Sequence, residues 1–157
     1  MSEVDHEMLQ VQLQEMILFF ENLTQENIGR LSKYYANDAQ FKDPFNDVIG
    51  IKRIEDIFLH MFRTLKAPKF VVLDVASQGL NTFITWDFHF ELEQMPSKGP
   101  MLIKGASHLI WTVDALTQEY RIKTHRDYWD AAEELYEKLP LLGILMKWLK
   151  KKLSTPL

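Results

Sequence analysis

Near the start of the chain, apolar residues recur with the pitch of a helix. Leu9, Leu13, Met16, Ile17 and Phe20 fall at i, i+4, i+7, i+8 and i+11, one face of a 3.6-residue period. This spacing predicts a helix over residues 5–23, with Phe19 at the edge of the apolar face. A second helix is predicted over 25–35, capped by Thr24 and turning Ile28, Leu31 and Tyr35 inward. Gly50 opens a third, whose stripe of Ile51, Ile54, Phe58, Met61, Phe62 and Leu65 runs until Ala67-Pro68 stops it. The period then changes from 3.6 to 2. Phe70-Val71-Val72-Leu73 marks a strand within 69–77. Residues 82–93 alternate, with Ile84, Trp86, Phe88, Phe90 and Leu92 on one face and Thr85, Asp87, His89, Glu91 and Glu93 on the other. After a turn through Met95 to Pro100, residues 101–113 place Met101, Ile103, Ser107, Leu109 and Trp111 on one side. A fourth strand is predicted over about 119–128. Closely spaced sequential strands favour antiparallel pairing. Asp130, with Glu133 three residues on, opens another helix, and Pro140 restarts the chain into a last one over about 141–153. Helices first and strands afterwards predict an α+β fold, with helices packed on one face of a sheet.

With 157 residues and no internal repeat or linker, the chain reads as a single domain over 1–157. Ten Phe and four Trp are a rich aromatic supply, suited to a large core or to an apolar pocket. The absence of Cys excludes disulfide and thiolate chemistry. No N-terminal leader and no apolar run of about 18 residues is visible, so a cytoplasmic protein is expected. A net charge of −4 argues against general nucleic-acid binding. That balance is uneven, because residues 140–157 carry four Lys and no acid. In the basic amphipathic segment over 139–157, Leu142, Leu145, Met146, Leu149 and Leu153 form one stripe, with Lys147, Lys150 and Lys151 opposite. Such a helix packs against its own domain or a partner protein, or lies in a membrane interface through residues 140–153.

Candidate chemistry centres on Asp43. It precedes Pro44, which pushes it to extended geometry, and Phe41 and Phe45 flank it. Two roles are open: a turn residue capping the loop before Gly50, or a desolvated carboxylate with a raised pKa suited to proton transfer. Asp87 and His89 lie opposite a uniformly apolar face and are expected outside. The five His show no metal-binding spacing, and there is no phosphate loop or nucleophile elbow, so neither a metal nor a cofactor is implied.

Tyr35-Ala36-Asn37-Asp38-Ala39 followed by Lys42-Asp43-Pro44, and Thr124-His125-Arg126-Asp127-Tyr128-Trp129-Asp130 near the end, resemble signatures of the nuclear transport factor two superfamily. Ketosteroid isomerase and the SnoaL-type polyketide cyclases belong to it. The resemblance covers about residues 8–130 and implies a cone-shaped α+β barrel, three helices closing a curved antiparallel sheet around an apolar pocket for a small hydrophobic ligand. It places Asp43 at the isomerase's general base and Asp127 at the cyclases' acidic residue. His125 shares a strand face with Asp127 at i and i+2, and the pair points either into the pocket or outward; a bulge would flip the register. Catalytic candidates are therefore Asp43, His125 and Asp127. Candidate contacts are Phe19, Tyr35, Phe41, Phe45, Trp86, Phe88, Ser107 and Trp111. The isomerase's two oxyanion donors fall at Phe19 and Ser107, and Phe cannot donate a hydrogen bond, so steroid isomerisation by the family mechanism is not expected. The resemblance also implies a homodimer formed through the sheet. Two function classes follow: a pocket protein that binds and transforms a small molecule by proton abstraction, isomerisation or cyclisation, or a non-catalytic dimeric module whose basic tail meets a membrane or partner.

Overall fold

Helix α1 (His6–Glu21) begins where Asp5 accepts a hydrogen bond from the Met8 amide at 3.0 Å, and it buries Leu9, Leu13, Met16, Ile17 and Phe19. The computed structural model describes residues 5–93, 96–130 and 151. The second predicted helix is reduced to a six-residue 3-10 helix, Ile28–Lys33. Thr24 does not cap it; the Asn27 side chain instead takes the Thr24 amide at 2.8 Å and closes a turn. Tyr35 then begins a strand, β1 (Tyr35–Lys42), rather than ending a helix. Asn37 and Asp38 are poor helix formers, and Ile28 and Leu31 bury themselves equally well at a three-residue pitch. A short β2 (Asp47–Ile49), which the pattern does not predict, folds back on β1 as a hairpin.

Helix α2 (Ile51–Thr64) follows Gly50, whose φ of 107° is closed to residues with a side chain. The four later strands are β3 (Lys66–Gln78), β4 (Asn81–Glu91), β5 (Pro100–Val113) and β6 (Tyr120–Trp129). They agree with prediction in order and in antiparallel pairing, giving a six-stranded sheet in the order β2-β1-β6-β5-β4-β3. The sheet is not wholly antiparallel, because β1 pairs with β6 in parallel. A parallel neighbour needs a long crossover, and here the whole chain between the two strands supplies it. Gly105 lies in mid-strand on β5, opposite Trp86. Of the predicted C-terminal helices, all but Asp130 and Lys151 lies outside the described residues, as does the proposed membrane contact.

Breaks in register at Leu73 on β3 and at Lys123 on β6 curve the sheet around the helices. A main core joins α1, α2 and the inner faces of β1 and β4 to β6. A second cluster, with Leu65, Trp86, Phe88, Phe90 and Ile103, fills the other end of the sheet. Space for a site lies between the two.

Gly50→Ala places a side chain in a forbidden backbone region at the start of α2. Urea unfolding is expected to show a loss of about 1–3 kcal/mol.

Candidate functional site

Strand β6 makes the site by breaking its own alternation. A regular strand that turned Ile122 inward would also turn Thr124, Arg126 and Tyr128 inward. The pairing instead slips at Lys123: Ile122 faces Trp111, while Thr124 faces Ile110. Ile122 and His125 are therefore both buried, and Arg126 and Tyr128 are exposed. Strand β1 is irregular at the same level, with Tyr35 paired to Ile122 and Gln40 to Thr124, so residues 36–39 stand opposite Lys123 alone. The Lys123 ammonium meets the Asp38 carboxylate at 2.5 Å, and its hydrogen bond and charge hold that carboxyl below its ordinary pKa. The Gly50 amide donates to the Ala39 carbonyl at 2.9 Å. The Tyr-Ala-Asn-Asp-Ala stretch thus forms and ties down this irregular crossing.

Inside, five side chains form one hydrogen-bonded line. Tyr35 Oη lies 2.6 Å from His125 Nδ1, and His125 Nε2 lies 2.7 Å from Asp127 Oδ1. Ser107 Oγ donates to the same Asp127 oxygen at 2.5 Å, and the Trp86 indole N–H donates to Ser107 at 2.8 Å. Burial, and then the nearby Asp127 charge, raise the Tyr35 pKa well above its usual value, so its hydroxyl keeps its proton and donates it. On its other side the ring points Nε2–H at Asp127, whose carboxylate oxygen accepts it. The result is an imidazole that orients a carboxylate, backed by a protonated phenol.

Asp43 performs the turn role and also reaches the interior. Its Oδ1 accepts the Phe45 amide at 2.7 Å and the Asn46 amide at 2.6 Å. The Asn46 side-chain nitrogen lies 3.2 and 3.1 Å from its two oxygens. Burial raises the Asp43 pKa; the Asn46 and Phe45 donors pull it back, and the Asp127 charge pushes it up again. Asp43 and Asp127 line one cavity of about 90 Å³, walled by Phe41, Phe45, Phe58, Phe70, Phe88 and Trp129 among others. A second space of about 40 Å³ shares Phe58, Phe70, Trp86 and Asp127 with it and reaches Ser107 and His125. Both are far smaller than the ~300–1,000 Å³ that drug-sized ligands occupy. The rings themselves narrow the interior: Phe70 stacks on Phe88 at 4.5 Å, and Phe45 meets Trp129 edge-on at 5.5 Å.

Of the expected contacts, Phe41, Phe45, Trp86, Phe88 and Ser107 line these spaces. Tyr35 stands behind His125. Phe19 and Trp111 do not line either space. Phe19 stacks on Tyr34 at 4.8 Å because the helical pitch turns Phe20, not Phe19, toward His125. Trp111 sits further along β5, where its indole donates to Thr82 at 3.0 Å. Phe20 was legible as a member of the inward stripe, and Asn46 as the end of an Asp-Pro-x-Asn turn. Among the described residues no three His, Asp or Glu side chains converge as metal ligands would, and no helix is long and apolar enough to cross a membrane.

A family model described as a SnoaL-like domain matches residues 17–122. The chain belongs to the SnoaL-like domain family. None of the curated proteins compared with it matches. Solved structures share the fold of this SnoaL-like chain at low identity. A Shewanella denitrificans protein named as a SnoaL-like polyketide cyclase is 21% identical, with a TM-score of 0.63, over 82% of this chain and 96% of that one. A Mycobacterium tuberculosis LEH-like epoxide hydrolase is 15% identical, with a TM-score of 0.59, over 99% of this chain and 100% of the other. A Catenulispora acidiphila protein of ketosteroid isomerase-like fold, in complex with trimethylamine, is 16% identical, with a TM-score of 0.62, over 78% and 91%. The SnoaL-like chain thus has the nuclear transport factor two-like cone fold.

The raised Asp43 pKa carries a sign. Its contribution to stability is complete below the ordinary carboxyl range near pH 4 and is lost as pH rises through the raised value. Asp43→Asn removes that loss while keeping an Oδ1 acceptor for the turn. The variant's unfolding free energy relative to the native protein is expected to rise as pH increases from about 4, read by urea titrations at each pH.

Proposed function

We propose that this protein binds a small, mainly apolar molecule between the sheet and α2 and moves a proton on it. In this reading Asp43 is the base. Asp127, held by His125 and Ser107 with Tyr35 behind, is the second carboxyl that steers or returns the proton. The observation that carries the reading is that two carboxyl groups in different surroundings line one small aromatic-walled cavity, and burial raises the pKa of Asp43. Such pairs suit acid–base chemistry because their environments separate their proton affinities. Structural neighbours that bear the names of a polyketide cyclase and an epoxide hydrolase lend the fold catalytic precedent, and one was solved with a small amine. The reaction class that fits is proton abstraction leading to isomerisation or cyclisation.

A substrate-independent test is α-proton exchange of cyclopentanone in D2O, followed by NMR. The native protein is expected to exceed the buffer rate, and Asp43→Asn to lower the excess by about a hundredfold or more. Exchange at the buffer rate alone, or an unchanged variant, removes proton transfer by Asp43 from the reading.

A second observation favours self-association. The outer side of the sheet leaves Leu73, Phe83 and Tyr128 exposed, and the Phe83 ring stacks on His108 at 4.4 Å rather than being buried. Exposed apolar residues grouped on one face suit an interface with a second copy of the chain. Phe83→Arg is expected to convert a dimer into a monomer in light scattering after gel filtration. A native monomer at the same concentration contradicts this second reading.

A further inference from the structure

The cavity's polar groups are unequally spent. Every donor in the line behind Asp127 is engaged within the protein: the Trp86 N–H by Ser107, the Ser107 hydroxyl and His125 Nε2–H by Asp127, and the Tyr35 hydroxyl by His125. What these bonds leave over is acceptor capacity. Both Ser107 and His125 use Asp127 Oδ1, so among the described residues Oδ2 has no hydrogen-bond partner. Asp43 adds a second carboxyl to the same space. No Lys or Arg lines either space to balance them. Lys42, Lys104 and Arg126 share instead a larger, more open space of about 1110 Å³ that Asp43 and Asp127 also touch. There Lys42 pairs with Asp47 at 3.4 Å, and the Arg126 guanidinium lies over the exposed Tyr128 ring, 4.8 Å from its centre. The remaining walls are aromatic rings, whose faces attract positive charge.

A neutral ligand would draw on donors that are already engaged within the protein. A positively charged ligand needs none. It would meet carboxylate oxygen on one side and ring faces on the others, and it would relieve the repulsion between two carboxylates that line one space. The size of the space limits that ligand to a few heavy atoms. We infer that the ligand of this cavity is a compact organic cation, a small alkylamine or quaternary ammonium, held between Asp43, Asp127 and the surrounding aromatic rings. The inference rests on the reading of this cavity as a small-molecule site and names the class of molecule it takes.

Tetramethylammonium and tert-butanol match in shape and heavy-atom count and differ in charge. Each is titrated into the 15N-labelled native protein, with sodium chloride as the ionic-strength control. Tetramethylammonium is expected to shift the amides around Phe45, Phe88 and Asp127 and to bind at least about tenfold more tightly than tert-butanol. Asp127→Asn and Asp43→Asn are each expected to weaken tetramethylammonium about tenfold while leaving tert-butanol unchanged. Asp43→Asn keeps the acceptor that Phe45 and Asn46 use, so it reports even where Asp127→Asn fails to fold. Equal binding of the two probes overturns the cation and leaves the small-molecule site standing. Binding of neither, at concentrations where sodium chloride also has no effect, overturns both.

Discussion

The crossing of β1 and β6 sets the interior of this protein. At Lys123 one strand carries an extra residue, and opposite it residues 36–39 of the other swing out of register. Without that slip the face that buries Ile122 would also bury Arg126, and His125 and Asp127 would point into water. With it, the inward sequence runs Tyr120, Ile122, His125, Asp127 and Trp129: two hydrophobic positions, then two polar ones, then an indole. The Lys123–Asp38 ion pair that closes the crossing is at the surface and contributes little energy on its own. Its role is to hold a geometry on which the buried line depends, together with the Gly50 amide on Ala39.

From that crossing the rest of the polar interior follows in a fixed direction. A buried phenol meets one ring nitrogen of the imidazole, the other nitrogen turns its N–H to the carboxylate, and Ser107, itself oriented by Trp86, supplies the second donor. Each member satisfies the next, which is the condition under which a polar line survives inside an apolar core. Asp43 stands apart from this line. It belongs to the hairpin between β1 and β2, whose backbone amides bind one of its oxygens, yet it shares the cavity with Asp127. The turn role and the chemical role considered for Asp43 therefore describe one side chain, because the turn aims the carboxyl inward.

Strong periodicity in the sequence was enough to read α1, α2, β4 and β5, since long stripes and clean alternation admit one interpretation. β3 was readable from an apolar run, and β6 as a strand but not in its facing, because its alternation breaks at Lys123. β1 was not legible. Tyr35 lies four residues after Leu31, a helical spacing, and it is its parallel partner Ile122, more than eighty residues later, that draws it into a strand. No local signal carries that pairing. The same distance hid β2, which exists because β1 offers it an edge. For the site, residue types and family motifs singled out Asp43, His125 and Asp127 as catalytic candidates and Tyr35, Ser107 and Trp86 among the contacts; that these three join one buried line depends on distances. Phe19 was misplaced by one residue, because a helix edge position is decided by what it packs against, and Tyr34 took it.

Opposite Trp86 lies Gly105, and the indole occupies the room a side chain there would need: a Cβ built on Gly105 would fall 2.3 Å from the ring. The two positions share a single allotment of volume across neighbouring strands. A side chain at Gly105 fits only where Trp86 gives way, a smaller residue on one strand admitting a larger one on the other. The bore of the chamber can thus be reset by paired replacements in the floor, leaving the carboxyl groups where they stand.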